Sequence, residues 1–394
     1  MKEILDLGHQ PICNSIVSKD DLNEPEITFP LRLAFCSNCY LVQLSSLIPQ
    51  GKVFSKEFNY LTNQNQTLVR HFESVAASLA ASLRLQSSDL VCDIGSNDGS
   101  LLLAFKRRGT RVIGVEPTPL PAREAIEKGI PTIQEFFGKS TARKIRDKLG
   151  KVRVVTAMNV LAHADDVHSF LDGIADMMEK GHTVFATQSH YLPSLIKKIE
   201  YDTIYHEHPR YYTLTTLKHL LEMHGIHIFD VEFNSIHGGS ILVYASREKR
   251  PVRSIVSRTL ASEKPYSNIR TYKEFAERVR ESRWRLVRLL YGLRMKGEKI
   301  VGIGAPMKAT TLLNFCNIGP DVLEFVTEVN PLKIGRYVPG VHIPIIDEAR
   351  LFSEKTDYAL LLSWTLQEQI ISNLRSKGYK GKFIIPVPSA KIIN

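Results

Sequence analysis

Apolar residues recur along the chain in two patterns, which predict helices and short buried strands in alternation. Between residues 67 and 84 they recur at intervals of three and four, as expected for a helix with one buried face. A short apolar run at 90–94 predicts a strand, a helical pattern follows at 100–108, and a second strand is predicted at 111–115. This part of the chain therefore has the strand-helix-strand order of a nucleotide-binding unit.

The alternation continues through the middle of the chain. Strands are predicted at 152–158 and 183–187, on either side of a helical pattern at 167–179. A strand-like run at 240–244 closes this region near residue 250. The order favours a parallel, doubly wound sheet.

A second region of the same kind follows a charged, helix-forming segment at 254–294, whose apolar residues form one stripe. A strand at 299–303 enters a glycine turn, and a helix is predicted at 307–314. Two more runs, at 322–326 and 358–363, are typical of buried strands. The C-terminal part is therefore predicted to be a second α/β domain.

These patterns divide the chain into three parts. Residues 1–58 are rich in residues that favour loops, and we expect a small, loop-rich N-terminal lobe there. Residues 59–250 and 251–394 are predicted to be two doubly wound, Rossmann-like α/β domains.

Composition and charge argue against some classes of protein. The 394 residues are 43% hydrophobic and 23% charged, as in ordinary globular proteins. No uninterrupted apolar stretch of about 20 residues occurs and the start does not resemble a secretory signal, so we expect a cytoplasmic protein with no membrane association. The net charge of +10 comes from scattered Lys and Arg residues. This scatter favours a phosphorylated ligand or solvated helix faces over nucleic acid.

The turn at 93–99 is the first candidate site. Its glycines follow a Gly-x-x-x-Gly spacing, which differs from the Gly-x-Gly-x-x-Gly of dinucleotide-binding folds. Asp93 ends the first strand and suits a positively charged amino-acid tail, whereas Glu116 ends the second strand and suits two ribose hydroxyls. S-adenosylmethionine carries both groups. A structural turn without a ligand is the alternative.

A second candidate lies at 205–208, where the sequence is Tyr-His-Glu-His. Histidine titrates near neutrality, a carboxylate can fix its tautomer, and a tyrosine can donate to an oxyanion, so the segment suits acid-base chemistry. The two histidines are two residues apart, which does not place them on one helix face as zinc-binding helices require. His163, at the end of a predicted strand, is either buried and structural or functional.

Basic residues follow the second glycine turn. Lys308, Lys333 and Arg336 could hold a phosphate, and solvated loop positions explain them equally well. Cys36 and Cys39 form a Cys-x-x-Cys pair that supplies two of the four ligands of a structural zinc site. Cys13 is available as a third ligand, and a plain pair of reduced cysteines is the alternative.

With these residues assembled, the chain resembles the sugar C-methyltransferase family of deoxysugar and antibiotic biosynthesis. Members of this family methylate nucleotide-linked keto sugars at C3. The resemblance covers nearly the whole chain. It rests on ordered matches at DLGHQP (6–11), 31–43 around the cysteine pair, DIGSNDG (93–99), NVLAH (159–163), DTIYHEH (202–208), HGGS (237–240), GAP (304–306) and RYVPG (336–340).

The resemblance implies a class I methyltransferase core, a C-terminal Rossmann-like substrate domain, and a small-molecule nucleotide-sugar substrate for a monomer or homodimer. The positions that we assign to S-adenosylmethionine are Asp93, Gly95, Asn97, Asp98, Glu116, Glu135, Phe136 and Asn159. The family's catalytic residues carry over to Tyr60, His163, Tyr205, Glu207 and His208. Substrate binding is assigned to His206, Lys308, Asn330, Lys333, Arg336 and Tyr337.

The resemblance also implies a mechanism. His208 would remove a proton α to a ketone, Tyr205 and His163 would bind the developing oxyanion or neighbouring hydroxyls, and Glu207 would position the others. Any zinc at Cys36 and Cys39 would be structural. Three alternatives stay open: methylation of another small natural product on carbon, oxygen or nitrogen, an NAD-dependent dehydrogenase, and a non-catalytic nucleotide-sugar-binding protein.

The chain departs from the family pattern at three places. Members usually carry a Cys-x-x-Cys pair upstream of the segment at 6–8, and none is present there. The sequence Thr-Gln-Ser-His stands at 187–190, where an acidic residue is expected. At 328–331, Glu-Val-Asn-Pro replaces the more usual Asp-Arg-Asn-Pro. The last two lie at edges expected to face ligands, so they bear on the identity of the substrate.

Overall fold

The structure is a computed structural model that describes residues 1–54 and 60–394. The predicted boundary between residues 58 and 59 lies outside the described residues. Within them, the strands form three β-sheets. No helix in the described ranges is both long enough and apolar enough to cross a membrane.

The N-terminal lobe contains a small antiparallel sheet, which the sequence patterns did not predict. Its elements are β1 (Lys2–Pro11), β2 (Thr28–Phe35), β3 (Val42–Leu44) and a short helix α1 (Gln50–Val53). The register between β1 and β2 shifts twice, between Glu3 and Leu5 and again between Asp6 and His9. Such irregularities break the two-residue alternation by which a strand is recognised in a sequence.

The middle region forms the largest sheet, with helices packed against it. Its strands are β4 (Leu90–Ile94), β5 (Arg111–Val115), β6 (Thr132–Ile133), β7 (Val154–Met158), β8 (Val184–His190), β10 (His227–Asn234) and β11 (Ser240–Ser246), while β9 (Arg210–Tyr211) joins β3 in the N-terminal sheet. Its helices are α2 (Gln66–Leu83), α3 (Ser100–Lys106), α4 (Pro119–Glu127), α5 (Lys139–Leu149), α6 (Val167–Met177), α7 (Leu192–Lys198) and α8 (Leu214–Glu222).

The strand order of this sheet is β10-β11-β8-β7-β4-β5-β6. Strands β4 to β8 are parallel, and every residue of β4 and β7 is buried because helices cover both faces. At one edge β11 runs antiparallel to both β8 and β10, so the sheet is mixed where a purely parallel one was predicted. The short connection at Ile236–Gly238 permits this, since antiparallel neighbours need only a tight turn.

The C-terminal region forms the third sheet, with the order β14-β13-β12-β15-β16-β17. Its strands are β12 (Ile300–Ile303), β13 (Val326–Glu328), β14 (Ile345–Asp347), β15 (Tyr358–Leu361), β16 (Lys382–Ile385) and β17 (Lys391–Ile393). Its helices are α10 (Ile269–Arg294), α11 (Met307–Cys316), α12 (Arg350–Ser353) and α13 (Gln367–Ser376), whereas α9 (Ser254–Ser262) packs against β10 and α8 of the middle domain. All of its strand pairs are parallel except β16 with β17.

Two predictions for this region need correction. The strand predicted at 322–326 begins only at Val326, because Val322 and Leu323 are buried in the preceding turn. A short apolar run does not distinguish a buried turn from a strand. The helical segment at 254–294 is two helices, since a 3₁₀ turn at Lys264–Ser267 interrupts it and Asn268 caps α10.

The N-terminal sheet packs against the C-terminal domain. Phe35 of β2 contacts Tyr272 of α10, with ring centroids 4.9 Å apart, and both belong to one buried apolar cluster. The hydroxyl of Thr310 on α11 donates to the carbonyl of Cys13 at 3.2 Å. This packing brings the segment after β1 close to the carboxyl ends of the strands in the larger sheets.

Candidate active site

A cavity of about 980 Å³ lies between the two larger sheets, at the carboxyl ends of their parallel strands. Residues that follow β4, β5 and β8 line it from the middle domain, and residues that follow β12 and β13 line it from the C-terminal domain. The carboxyl edge of an open α/β sheet is where such folds bind ligands. The two domains therefore present their binding edges to one shared space.

The glycine turn after β4 is sterically constrained. Gly95 has a φ of +65°, and a Cβ added there would lie 2.5 Å from Cγ2 of Val160. Its N–H donates to the carbonyl of Val115 at 2.8 Å. Only glycine fits this position without strain, and the turn presents its backbone to the cavity.

Glu116 lies beside this turn at the end of β5. Its carboxylate accepts hydrogen bonds from the backbone N–H of Asn97 at 2.9 Å and of Thr118 at 2.8 Å. Burial raises the pKa of Glu116, and the hydrogen bonds from Thr118 and Asn97 oppose that rise. Its carboxylate is thus held in place at the cavity wall, as recognition of ribose hydroxyls requires.

Asp93 ends β4 and also lines the cavity. The hydroxyl of Thr156 donates to its carboxylate at 2.6 Å. Burial raises the pKa of Asp93 to about 7, against the hydrogen bond from Thr156. A ligand cation beside this carboxylate would favour its ionised form, so Asp93 fits the amino group of S-adenosylmethionine.

The other positions assigned to the cofactor divide into two groups. Asn97, Phe136 and Asn159 line the cavity. Asp98 and Glu135 do not, contrary to expectation. Asp98 accepts a hydrogen bond from Ser100 and pairs with Lys128 at 3.1 Å. These contacts stabilise the turn at 93–99 on the side away from the cavity. Glu135 instead pairs with Lys144 of α5 at 2.8 Å.

All five predicted catalytic residues line the cavity, including Tyr60. The rings of Tyr205 and His208 have centroids 4.2 Å apart, and those of His163 and His208 are 4.8 Å apart. The Nδ1 atom of His163 contacts the carbonyl of Glu207. Residues from the loop before β9 and from the end of β7 therefore form one cluster.

The contact made by Nδ1 of His208 favours the tautomer that a base needs. This nitrogen faces the carbonyl oxygen of Thr203 at 3.4 Å. Because a carbonyl only accepts, the proton of the neutral ring resides on Nδ1, which leaves the Nε2 lone pair available. Burial, followed by the charges of His163 and His190, holds the pKa of His208 well below its ordinary value. The ring is therefore neutral at physiological pH.

Glu207 is paired with a residue that the sequence did not connect to it. The thiol of Cys13 donates to its carboxylate at 3.3 Å, and both side chains are buried. Burial raises the pKa of Glu207 to about 7, and the Cys13 hydrogen bond and the charge of Lys333 oppose that rise. Cys13 was considered as a zinc ligand, but the structure places it against Glu207. No local signal links two residues 194 positions apart.

Three predicted substrate-binding residues line the C-terminal side of the cavity: Lys308, Asn330 and Lys333. Lys308 Nζ lies 3.8 Å from a carboxylate oxygen of Asp202 and 4.3 Å from the ring centroid of Trp364. Burial lowers the pKa of both lysines, and neighbouring carboxylates oppose that change.

Three other predicted substrate-binding residues do not line this cavity. The His206 ring packs against Phe29, with centroids 6.0 Å apart. Arg336 is exposed, and the backbone N–H of Tyr337 donates to the carbonyl of Val17 at 2.9 Å. Of Lys333 and Arg336, only Lys333 therefore lines the cavity.

Sequence reasoning missed two histidines of the cavity. His190, at the end of β8, hydrogen-bonds through Nε2 to Glu200 at 2.8 Å. His237 has a φ of +53° and lines the cavity from the turn between β10 and β11. His190 belongs to the segment 187–190, which was expected to face a ligand, but that expectation gave it no role.

Cys36 and Cys39 lie on a tight turn in which the N–H of Tyr40 donates to the carbonyl of Cys36 at 2.9 Å. Backbone N–H groups of Cys39 and Asn38 lower the pKa of Cys36, as suits a thiolate. Across 1–54 and 60–394, no cluster of three or more His, Cys, Asp or Glu side chains could hold a metal. The pair thus fits half of a tetrahedral zinc site, and neither cysteine lines the cavity.

Three family models match the chain. They are described as "Putative zinc binding domain" over residues 1–54, "Methyltransferase domain" over 68–230 and "C-methyltransferase C-terminal domain" over 235–388.

Among solved structures, a magnesium protoporphyrin IX methyltransferase from Synechocystis with bound SAM is 19% identical, with a TM-score of 0.34 over 46% of this chain and 79% of that one. An S-adenosylmethionine-dependent methyltransferase from Clostridium acetobutylicum is 12% identical, with a TM-score of 0.37 over 46% and 92%.

Relatives of known description match at higher identity. A ubiquinone biosynthesis O-methyltransferase from Shewanella halifaxensis is 29% identical over 134 residues, which are 33% of this chain and 52% of that protein. The C-methyltransferase NovU from Streptomyces niveus is 31% identical over 397 residues, covering 100% of this chain and 94% of the relative. The predicted fold class and cofactor are confirmed, and the chain belongs to the C-methyltransferase family of S-adenosylmethionine-dependent methyltransferases.

Proposed function

We propose that the protein methylates a carbon atom of a nucleotide-linked keto sugar through an enolate, with His208 as the base. The observation that carries this proposal is the position of the His208 ring in the cavity, next to Tyr205 and with Nδ1 facing the carbonyl of Thr203, which leaves Nε2 to accept a proton. S-adenosylmethionine supplies the electrophilic methyl group. Asp93, Gly95 and Glu116 would hold it at the edge of the middle sheet.

The first chemical task is proton removal from the carbon next to the ketone. His208 takes this proton at Nε2, and the electron pair moves toward the carbonyl oxygen. The developing negative charge needs hydrogen-bond donors. Burial, together with the charge of Glu207, raises the pKa of Tyr205 well above its ordinary value, so its hydroxyl keeps its proton and can donate.

His163 and Glu207, the remaining residues of the cluster, orient His208 and Tyr205. The contact between His163 Nδ1 and the carbonyl of Glu207 fixes the His163 ring, and that ring packs against His208. The carboxylate of Glu207 is held by Cys13. In this arrangement His163 contacts neighbouring hydroxyls of the sugar, while Glu207 is a positioning residue.

The nucleotide diphosphate is assigned to the C-terminal side of the cavity. Lys308 and Lys333 both line it, and the net charge of +10 suits an anionic substrate. Asp202 neutralises part of the charge of Lys308, which leaves Lys333 as the stronger candidate for a phosphate contact.

The test is incubation with S-adenosylmethionine labelled in its methyl group and a panel of 4-keto nucleotide sugars, with the free keto sugars as controls. We expect label to appear on carbon in a nucleotide sugar, and only weakly in the free sugars. Label transferred to oxygen or nitrogen would instead assign another methyltransferase reaction. No transfer to any nucleotide sugar would contradict the proposal.

A further inference from the structure

A carboxylate-histidine pair that the proposed mechanism does not use faces the same cavity. Glu200 follows α7, and its Oε2 lies 2.8 Å from Nε2 of His190. The His190 side chain is 11% exposed and lines the cavity, whereas the Glu200 side chain is completely buried behind it. Glu200 therefore influences a ligand in the cavity only through the imidazole of His190.

The fold leaves room for this buried carboxylate at one glycine. Gly238 has a φ of +91°, and a Cβ added there would lie 2.4 Å from Oε1 of Glu200. That oxygen accepts no hydrogen bond within the described part of the chain. Burying a carboxylate with so few partners is unfavourable, so packing alone does not explain Glu200.

The pair fixes which nitrogen of His190 faces a ligand. A carboxylate accepts the proton on Nε2, so the neutral ring keeps a lone pair on Nδ1. No described residue hydrogen-bonds to Nδ1 of His190. An acceptor atom in the cavity wall without a protein partner is suited to a hydroxyl donor on a bound ligand.

The surrounding charges favour a neutral group over a phosphate. Glu200 and Asp202 are both fully buried, and Lys308 is the cation that pairs with Asp202. The rings of His190, His208 and His237 line the same cavity. An anion beside the two carboxylates would be repelled, whereas a sugar hydroxyl would not.

We propose that His190, oriented by Glu200, binds a hydroxyl group of the acceptor sugar and selects acceptors that carry it. This inference rests on the proposed function and adds a determinant of specificity to it. A site that hydrogen-bonds a substrate hydroxyl discriminates strongly against the analogue that lacks it, because the polar group of the site is left unpaired.

Two substitutions test the roles of the two nitrogens of His190 one at a time. In His190→Gln the amide can still donate to Glu200 from the position of Nε2, but the acceptor at Nδ1 is lost. In His190→Asn the amide oxygen takes the place of Nδ1, and the contact with Glu200 is lost. The acceptors are thymidine-diphosphate 4-keto-6-deoxyglucose and its counterparts lacking the 2-hydroxyl or the 3-hydroxyl.

We expect wild-type kcat/KM to fall for one of the two deoxy acceptors. His190→Gln should lower kcat/KM for the hydroxylated acceptor on the order of 10- to 100-fold and leave the rate with that deoxy acceptor unchanged. His190→Asn should retain part of the preference. Binding of S-adenosylmethionine, measured by calorimetry, should be unchanged in both variants.

Equal losses for the hydroxylated and both deoxy acceptors would overturn the inference, because His190 would then act only on the structure. Unchanged kcat/KM for every acceptor would overturn it as well. If wild-type protein methylates none of the three sugars, the proposed function fails first, and the inference falls with it. If wild-type protein is active but makes no distinction among them, the inference alone fails.

Discussion

The ring of Tyr205 lies against the imidazole of His208, with centroids 4.2 Å apart and 32° between the ring planes. The two residues are three positions apart in the loop before β9, so one short segment supplies both a phenol and an imidazole. Both rings are half-buried in the wall of the cavity. A hydrogen-bond donor for an oxyanion and a base are thereby held side by side where a substrate can reach both.

Gly95→Ala is predicted to destabilise the protein and to weaken binding of S-adenosylmethionine. The new Cβ would meet Val160 at 2.5 Å, and the positive φ adds strain. We expect a loss of about 1–3 kcal/mol in the free energy of unfolding, measured by urea titration.

Gly109→Ala is the matched control for this substitution. Gly109 has a φ of +87°, but no atom lies within 4 Å of an added Cβ. Its loss of stability should therefore be smaller, with unchanged cofactor affinity. The double variant Gly95→Ala/Val160→Ala should recover stability, and equal losses for Gly95→Ala and Gly109→Ala would show that the contact with Val160 is unimportant.

Glu207→Gln is predicted to change the pH dependence of stability. Burial raises the pKa of Glu207 from 4.5 to about 7, so between these values the folded protein holds a proton that the unfolded chain has lost. The free energy of unfolding falls as pH rises through this window, because the folded protein must then ionise the buried Glu207. Above the window the full cost of that ionisation is present. Glu207→Gln removes the penalty, so its advantage over wild type should be about 2 kcal/mol larger at pH 8 than at pH 5.

Urea unfolding at the two pH values measures this difference. Glu3→Gln is a suitable control, since Glu3 is exposed on β1 and its substitution should have the same effect at both pH values. A Glu207→Gln advantage that is constant with pH would contradict the raised pKa of Glu207.

Metal removal should leave the chemistry intact. Cys36 and Cys39 would supply two ligands, and a zinc ion held by them alone would be readily removed by a chelator. We expect dialysis against EDTA to leave methyl transfer unchanged and to lower the melting temperature by no more than about 2 °C. Loss of activity on chelation, restored by zinc, would show that the metal supports the active site.

The core of the middle sheet was predictable from the sequence because its signals are local. The predicted strands at 90–94 and 111–115 coincide with β4 and β5, whose buried apolar runs are bounded by polar turns. The N-terminal sheet was missed because its register shifts hide the alternation in β1. It also gains β9, which lies about 170 residues beyond β3 in the chain, and no periodicity indicates such a pairing.

The residues of the site also divide into those that local sequence predicts and those that depend on distant contacts. Tyr205, Glu207 and His208 were found together because they are neighbours in sequence. The contact between Cys13 and Glu207 depends on the packing of β1 against α11, which no single segment encodes. The His190–Glu200 pair needs the exact turn after α7, where Ile199 has a φ of +57°.

Solvent exchange in His208→Gln tests the central claim most directly. The variant and wild type are incubated in deuterated water with a 4-keto nucleotide sugar that wild type methylates, and deuterium at the carbon next to the ketone is followed by NMR. The account predicts exchange and methyl transfer in wild type, with both lowered in His208→Gln by a factor on the order of 10² to 10⁴ while the affinity for S-adenosylmethionine is unchanged. Exchange in His208→Gln at the wild-type rate would contradict His208 as the base.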